Sequence, residues 1–180
     1  ISATAIRALG STQIAALSSD QIAAIGTAAL AGLSTAALRG LGTEDVRALT
    51  TAQAASLTLS QVASLTTAQV RALEAQDLAR ISAAAIVGLG TAQIGSLASA
   101  QAAALMTAQV ASLTTAQIQA LSTGAIAALS TAAIRGLRTT QMGGLRTAQI
   151  AAFTLDQIAA LETADIRALT GAQVAAFTET

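Results

Sequence analysis

An eight-residue pattern repeats along the whole chain of 180 residues. The segment LTTAQIQAL at positions 113–121 shows it most clearly. A large aliphatic residue, which we call the isoleucine slot, recurs from Ile6 to Val174, with alanine at only two of its 22 positions. A Leu, Ile or Phe, the leucine slot, follows three residues later. Such a short internal period is typical of an array of stacked units. We therefore interpret residues 1–180 as one array, and expect a fragment of a longer one because the chain begins and ends inside a repeat.

Helix-start signals occupy fixed places in this pattern. The residue after each leucine slot, the cap slot, is Gly, Ser or Thr in 16 of the 22 repeats. Three positions later, the glutamine slot holds Gln in 13 repeats and Asp in three. This is the spacing of a capping box, in which each of the two side chains satisfies the backbone N–H of the other residue. All nine acidic residues lie in this first half of the unit and seven of the nine arginines in the second, as the helix dipole favours. Each octapeptide should therefore form its own short helix.

Helices this short must stack on their neighbours. A buried aliphatic pair contributes roughly 3–6 kcal/mol, whereas ordering eight residues costs roughly 12 kcal/mol. A continuous helix is disfavoured because eight residues rotate the apolar pair by about 80° per repeat, so no apolar face persists. We predict an all-α solenoid around an Ile and Leu core, in which the residue before each leucine slot, the small slot, permits close helix contact. A β-solenoid resembling the pentapeptide-repeat proteins is the alternative, although Ala, Gln and Leu favour helices.

A longer period of 32 residues is superimposed on the octapeptide. It is marked by arginines directly after the isoleucine slot, at Arg7, Arg39, Arg71, Arg135 and Arg167. Either four octapeptides complete one coil, which places these arginines along one edge, or 32 residues is only a duplication unit. We favour the coil, and interpret the arginine edge as a surface for a protein partner.

The composition removes several kinds of chemistry. The chain has no Cys and no His, so thiol catalysis, imidazole acid–base catalysis and metal sites built from these ligands are absent. We predict no enzyme, no catalytic, metal-binding or cofactor-binding residue, and no cofactor. A net charge of zero provides no field that attracts nucleic acid. The chain has no run of about 18 apolar residues, so we predict no membrane span. The expected partners are the neighbouring repeats, a second copy of the chain or another protein.

The runs LTTAQIQAL (113–121), LTTAQVRAL (65–73) and LSTGAIAAL (121–129) resemble the TAQ-type octapeptide tracts of very large bacterial surface or adhesin-like proteins. The resemblance extends over the whole chain. It implies a structural spacer, extender or filament segment of a bacterial protein that is secreted or lies at the cell surface. The alternative is a protein-binding scaffold that uses the arginine edge. A cytoplasmic location stays open, because the absence of cysteine fits either compartment. The resemblance assigns no functional residue.

Overall fold

Short helices and tight connections make up the computed structural model, which describes residues 6–179 and the side chains of residues 6–177. Within this range the chain forms 21 complete α-helices of four to six residues and one 3₁₀ helix, and it contains no β-strand. The predicted all-α solenoid with one helix per octapeptide is confirmed. The β-solenoid alternative is not supported.

The helices follow one another at intervals of eight residues. In chain order they are α1 Ser11–Ala15, α2 Ser19–Ala23, α3 Thr27–Ala31, α4 Thr35–Arg39, α5 Thr43–Arg47, α6 Thr51–Ser56, α7 Leu59–Ser64, α8 Thr67–Ala72, α9 Ala75–Leu78, α10 Ala83–Ile86, α11 Thr91–Gly95, α12 Ser99–Ala103, α13 Thr107–Ser112, α14 Thr115–Ala120, α15 Thr123–Ala128, α16 Thr131–Arg135, α17 Thr139–Gly143, α18 Thr147–Ala151, α19 Leu155–Ala159, α20 Thr163–Ala168 and α21 Gly171–Ala175. The 3₁₀ helix spans Ala176–Glu179.

The complete predicted capping box starts seven of these helices, and one of its two hydrogen bonds starts most of the others. At α8, Thr66 is extended, and its hydroxyl accepts a hydrogen bond from the Gln69 backbone N–H at 3.1 Å. The Gln69 side-chain oxygen in turn accepts from the Thr66 N–H at 2.8 Å. The helix ends at Ala72, and the N–H of the next residue, Leu73, donates to the carbonyls of Gln69 at 3.2 Å and Val70 at 3.3 Å. Much of the backbone hydrogen bonding is therefore completed within one octapeptide.

The isoleucine and leucine slots together form one continuous core. From Ile14 to Ile150 every isoleucine slot is at most 1% exposed. The leucine slots from Ile25 to Phe153 are at most 6% exposed. Since the apolar pair points inward in the octapeptides of this range, the chain winds around these side chains and leaves most of its Thr and Arg residues outside.

The coil is tighter than the 32-residue period predicts. Helices three apart in the chain pack against each other, for example α11 with α14 and α12 with α15. The hydrogen bonds that join neighbouring coils connect residues 25 to 31 positions apart. One coil therefore takes more than three and fewer than four octapeptides. The expectation of four repeats per coil is corrected, and the 32-residue period fits the duplication unit that was its alternative.

Small residues before the leucine slot allow neighbouring coils to touch, as the sequence predicts. A Cβ atom added to Gly88 would lie 2.6 Å from the Leu59 carbonyl oxygen and 3.2 Å from the Ala63 nitrogen. Arg80 is the one large residue in this slot. It lies between α9 and α10, which have four residues each and are the shortest helices of the described range.

Candidate functional site

Glutamine does more than start helices in this structure. The side chain of Gln109 is 2% exposed, and its Oε1 accepts a hydrogen bond from the Met106 N–H at 2.8 Å. Its Nε2 donates to the carbonyls of Leu78 at 2.8 Å and Ile81 at 2.7 Å. These two acceptors lie 31 and 28 residues upstream, in the preceding coil. One amide therefore caps its own helix and also attaches that helix to its neighbour.

The same attachment recurs along the array. In each case Nε2 donates to the carbonyl of the leucine slot 28 residues upstream, and we call this set the glutamine ladder. Its members are Gln53, Gln61, Gln69, Gln93, Gln101, Gln109, Gln117, Gln141, Gln149, Gln157 and Gln173. The sequence predicts the capping half of this arrangement but not the half that crosses between coils.

Some glutamine slots do not belong to the ladder. Gln13 and Gln21, in the first coil, are exposed and accept only from the N–H of their own cap residues. Alanine fills the slot at five buried positions, Ala29, Ala37, Ala85, Ala125 and Ala133. A methyl group cannot donate a hydrogen bond, so these alanines cannot attach their repeats to the preceding coil as a ladder glutamine does.

Asp77 occupies a glutamine slot in a different way. Its side chain is 1% exposed, and its Oδ1 is buried without a hydrogen-bond partner among the described residues. Desolvation by burial, together with the nearby Glu74 carboxylate, raises the pKa of Asp77 to about 6. The carbonyls of Val46 and Leu49 correspond to the acceptors of a ladder glutamine, and a carboxylate cannot donate to them. The ladder is interrupted here.

Arg7, Arg39, Arg71, Arg135 and Arg167, the predicted edge, are all exposed. Within the described range no hydrogen bond or ion pair joins any two of them. Arg71 instead lies beside Arg47, three repeats upstream, where the two line an open groove of about 380 Å³ with Glu44. Arg47 is paired with Glu44, and the Arg135 Nε donates to the Ala160 carbonyl at 3.3 Å.

Two arginines outside the predicted edge reinforce the ladder. Arg138 and Arg146 occupy cap slots, and each guanidinium donates to a carbonyl 25 residues upstream, Leu113 at 2.9 Å and Leu121 at 3.5 Å. Those carbonyls also accept from Gln141 and Gln149. The sequence pattern marked these two arginines only as exceptions to the charge placement expected of a helix dipole.

The described residues form neither a candidate metal cluster nor a candidate membrane span. Over the described part of the chain, no three acidic side chains gather closely enough to hold a metal ion. Between residues 6 and 179, no helix has the length and apolar character needed to cross a membrane.

Comparison with known proteins gives one family. The family model described as the ALTTAQ repeat matches six overlapping stretches, residues 1–27, 22–59, 41–75, 70–107, 103–131 and 123–155. Neither a curated protein nor a solved structure matches the chain.

Proposed function

The chain belongs to the ALTTAQ repeat family, and we propose that it is a non-catalytic spacer, extender or filament segment of a large bacterial protein that is secreted or lies at the cell surface. The glutamine ladder is the observation that supports this proposal. The bond to the leucine slot 28 residues upstream recurs at eleven glutamine slots between Gln53 and Gln173. Because each repeat bonds only to adjacent coils, the array lengthens when repeats are added and its cross-section stays constant.

Lengthening the array tests the spacer function. We would insert a second copy of residues 90–121, which begins at a cap slot and ends at a leucine slot, after Leu121. Small-angle scattering should give a larger maximum dimension with an unchanged cross-section radius, while a scrambled insert of the same composition should add flexible chain. A compact particle with a wider cross-section would contradict an extender. Antibody labelling of intact cells tests the surface location, since labelling only after lysis would contradict it.

A second candidate function is a protein-binding scaffold that uses the five exposed arginines. The observation that favours it is the open groove in which Arg71 lies beside Arg47. Arginines with solvent-exposed guanidinium groups can form bidentate pairs with the carboxylates of an acidic partner.

Binding of a defined acidic peptide tests the scaffold function. Replacement of Arg7, Arg39, Arg71, Arg135 and Arg167 by glutamine should weaken binding of fluorescent polyglutamate at low salt, measured by anisotropy. Arg80→Gln is the control for the loss of one surface charge, because Arg80 is exposed and lies outside both the five arginines and the groove. Equal affinity of the fivefold variant and the parent chain would contradict binding through these arginines.

A further inference from the structure

Long side chains directly after the isoleucine slot can reach the coil that follows. The Gln119 Nε2 donates to the Gly144 carbonyl, 25 residues downstream, at 2.6 Å. The Arg135 Nε donates to the Ala160 carbonyl at 3.3 Å over the same interval. Both acceptors belong to the small slot. At these two places the donor therefore lies against the backbone of the next coil.

Arg47 occupies the same slot but is held differently. The small-slot residue 25 positions downstream is Ala72, and within the described range no hydrogen bond joins Arg47 to its carbonyl. The Arg47 guanidinium instead pairs with the carboxylate of Glu44 on the same helix, α5. Both side chains are largely exposed, Arg47 at 55% and Glu44 at 74%. Glu44 therefore keeps the guanidinium at the surface and away from the backbone of the next coil.

The groove of about 380 Å³ beside this pair carries a positive charge that its own residues do not neutralise. It is lined by Thr43, Glu44, Arg47, Ala68, Arg71 and Ala72. Glu44 compensates the charge of Arg47. Arg71 has neither an ion pair nor a side-chain hydrogen bond to any residue that the structure describes. The groove thus contains one paired and one unpaired arginine.

Two arginines with this spacing occur only once in the slot after isoleucine. Arg47 lies 24 residues before Arg71, and no other arginines of the slot are three octapeptides apart. Helices three apart pack against each other, as α5 does with α8, so this spacing places the two side chains on adjacent coils. Arg47 is also the one arginine of the slot outside the 32-residue series. The arginine that departs from the duplication pattern is therefore the one that forms the groove.

We propose that this groove recognises an acidic peptide, and that Glu44 restrains the binding by occupying Arg47. The proposal rests on the scaffold function described above and names its site. One carboxylate of the peptide binds Arg71, and a second displaces Glu44 from Arg47. Since Glu44 is itself a carboxylate, its pairing shows the chemistry that Arg47 accepts. An exposed ion pair is weak, so a carboxylate of the peptide can replace it.

Anisotropy of fluorescent polyglutamate at one low ionic strength tests the proposal. Glu44→Gln should lower the dissociation constant about twofold to fivefold, which corresponds to the strength of an exposed ion pair. Asp156→Asn is its control, because it removes one exposed negative charge outside the groove. Arg71→Gln should raise the dissociation constant more than Arg80→Gln, which removes an exposed arginine outside the groove. Circular dichroism establishes that each variant is folded.

A double-mutant cycle separates occupation of Arg47 from a general effect of charge. In an Arg47→Gln background, Glu44→Gln should change the affinity no more than Asp156→Asn does, because no ion pair is left to displace. An equal gain from Glu44→Gln with and without Arg47, or a gain in the parent chain no larger than that of Asp156→Asn, would overturn the proposal. Failure of the groove is distinct from failure of the scaffold function. If the fivefold arginine variant loses affinity while Arg71→Gln behaves like Arg80→Gln, the scaffold function stands and the groove is not its site.

Discussion

Replacing Gln109 by alanine is expected to lower the free energy of unfolding by roughly 3–5 kcal/mol, far more than the loss of a helix cap. The substitution removes the bond from the Met106 N–H and both bonds to the carbonyls of Leu78 and Ile81. Met106 supplies no side-chain cap of its own. Three backbone groups would thus lose a partner at a site where the side chain was 2% exposed. Urea denaturation followed by circular dichroism measures the loss.

Gln21→Ala is the matched control for this prediction. Gln21 occupies the same slot and accepts from the Ser18 N–H at 2.9 Å, but it is exposed, and no residue that the structure describes in another coil accepts from it. Its replacement should cost only about 1 kcal/mol, as for an ordinary cap. Equal losses for the two variants would show that the bonds between coils contribute nothing to stability.

Replacing Asp77 by glutamine is expected to stabilise the protein by about 1–3 kcal/mol at pH 7. The parent carboxyl has its pKa raised to about 6 in the folded protein, from an ordinary value of 3.8. The folded state thus binds the proton more tightly, and the contribution of Asp77 to stability is fully present below pH 3.8 and lost as the pH rises toward 6. Glutamine removes this loss and can donate to the carbonyls of Val46 and Leu49. The difference in the free energy of unfolding between the variant and the parent, measured by urea denaturation, should therefore shrink as the pH falls from 7 to 4.

Few charged groups lie near Asp77, so this pH dependence can be assigned to its carboxyl group. Glu74 is the neighbouring carboxylate that adds to the shift, and α6 and α12, which pack against α9, contain no charged residue. The stability of Asp77→Asn relative to the parent should change with pH in the same way. This variant also removes the titrating carboxyl, and it keeps nearly the same side-chain shape. Asp156→Asn, at an exposed position of α19, is the control. A gain that stays constant from pH 4 to pH 7 in both Asp77 variants would contradict a buried carboxyl that titrates near pH 6.

The local part of this fold could be predicted because its signals lie within eight residues. Thr66 and Gln69 are three positions apart, and their mutual capping depends only on the start of one helix. The inward direction of Ile118 and Leu121 follows from their constant spacing, and both are fully buried. Local spacing therefore predicted the helix starts, and it predicted the core of the octapeptides from Ile22 to Phe153.

The size of the coil could not be predicted in the same way. It depends on how far each short helix turns relative to the last, which is decided by packing between residues 25 to 31 positions apart. The 32-residue spacing of Arg39 and Arg71 predicts that these two arginines lie above one another in neighbouring coils. In the structure, Arg71 instead lines a groove with Arg47. A duplication can spread a residue at a fixed interval without any contact between the copies.

One signal in the sequence did point to the ladder. A capping box accepts glutamate as readily as glutamine, yet the glutamine slot holds 13 Gln and no Glu. The preference makes sense once Nε2 has to donate to two buried carbonyls, because a glutamate would present only acceptors to them. The choice between an amide and a carboxylate therefore carried information about the neighbouring coil.

The alternation of glutamine and alanine in this slot also sets the mechanical character of the array. From Gln93 to Gln117 four consecutive repeats are bonded to the coil upstream, whereas Ala125 and Ala133 offer only methyl groups. Bending at the glutamine positions distorts directional bonds, and bending at the alanine positions only slides apolar surfaces. We therefore expect the array to bend more easily at its alanine slots than at its glutamine slots. The frequency of alanine adjusts its flexibility without changing its length.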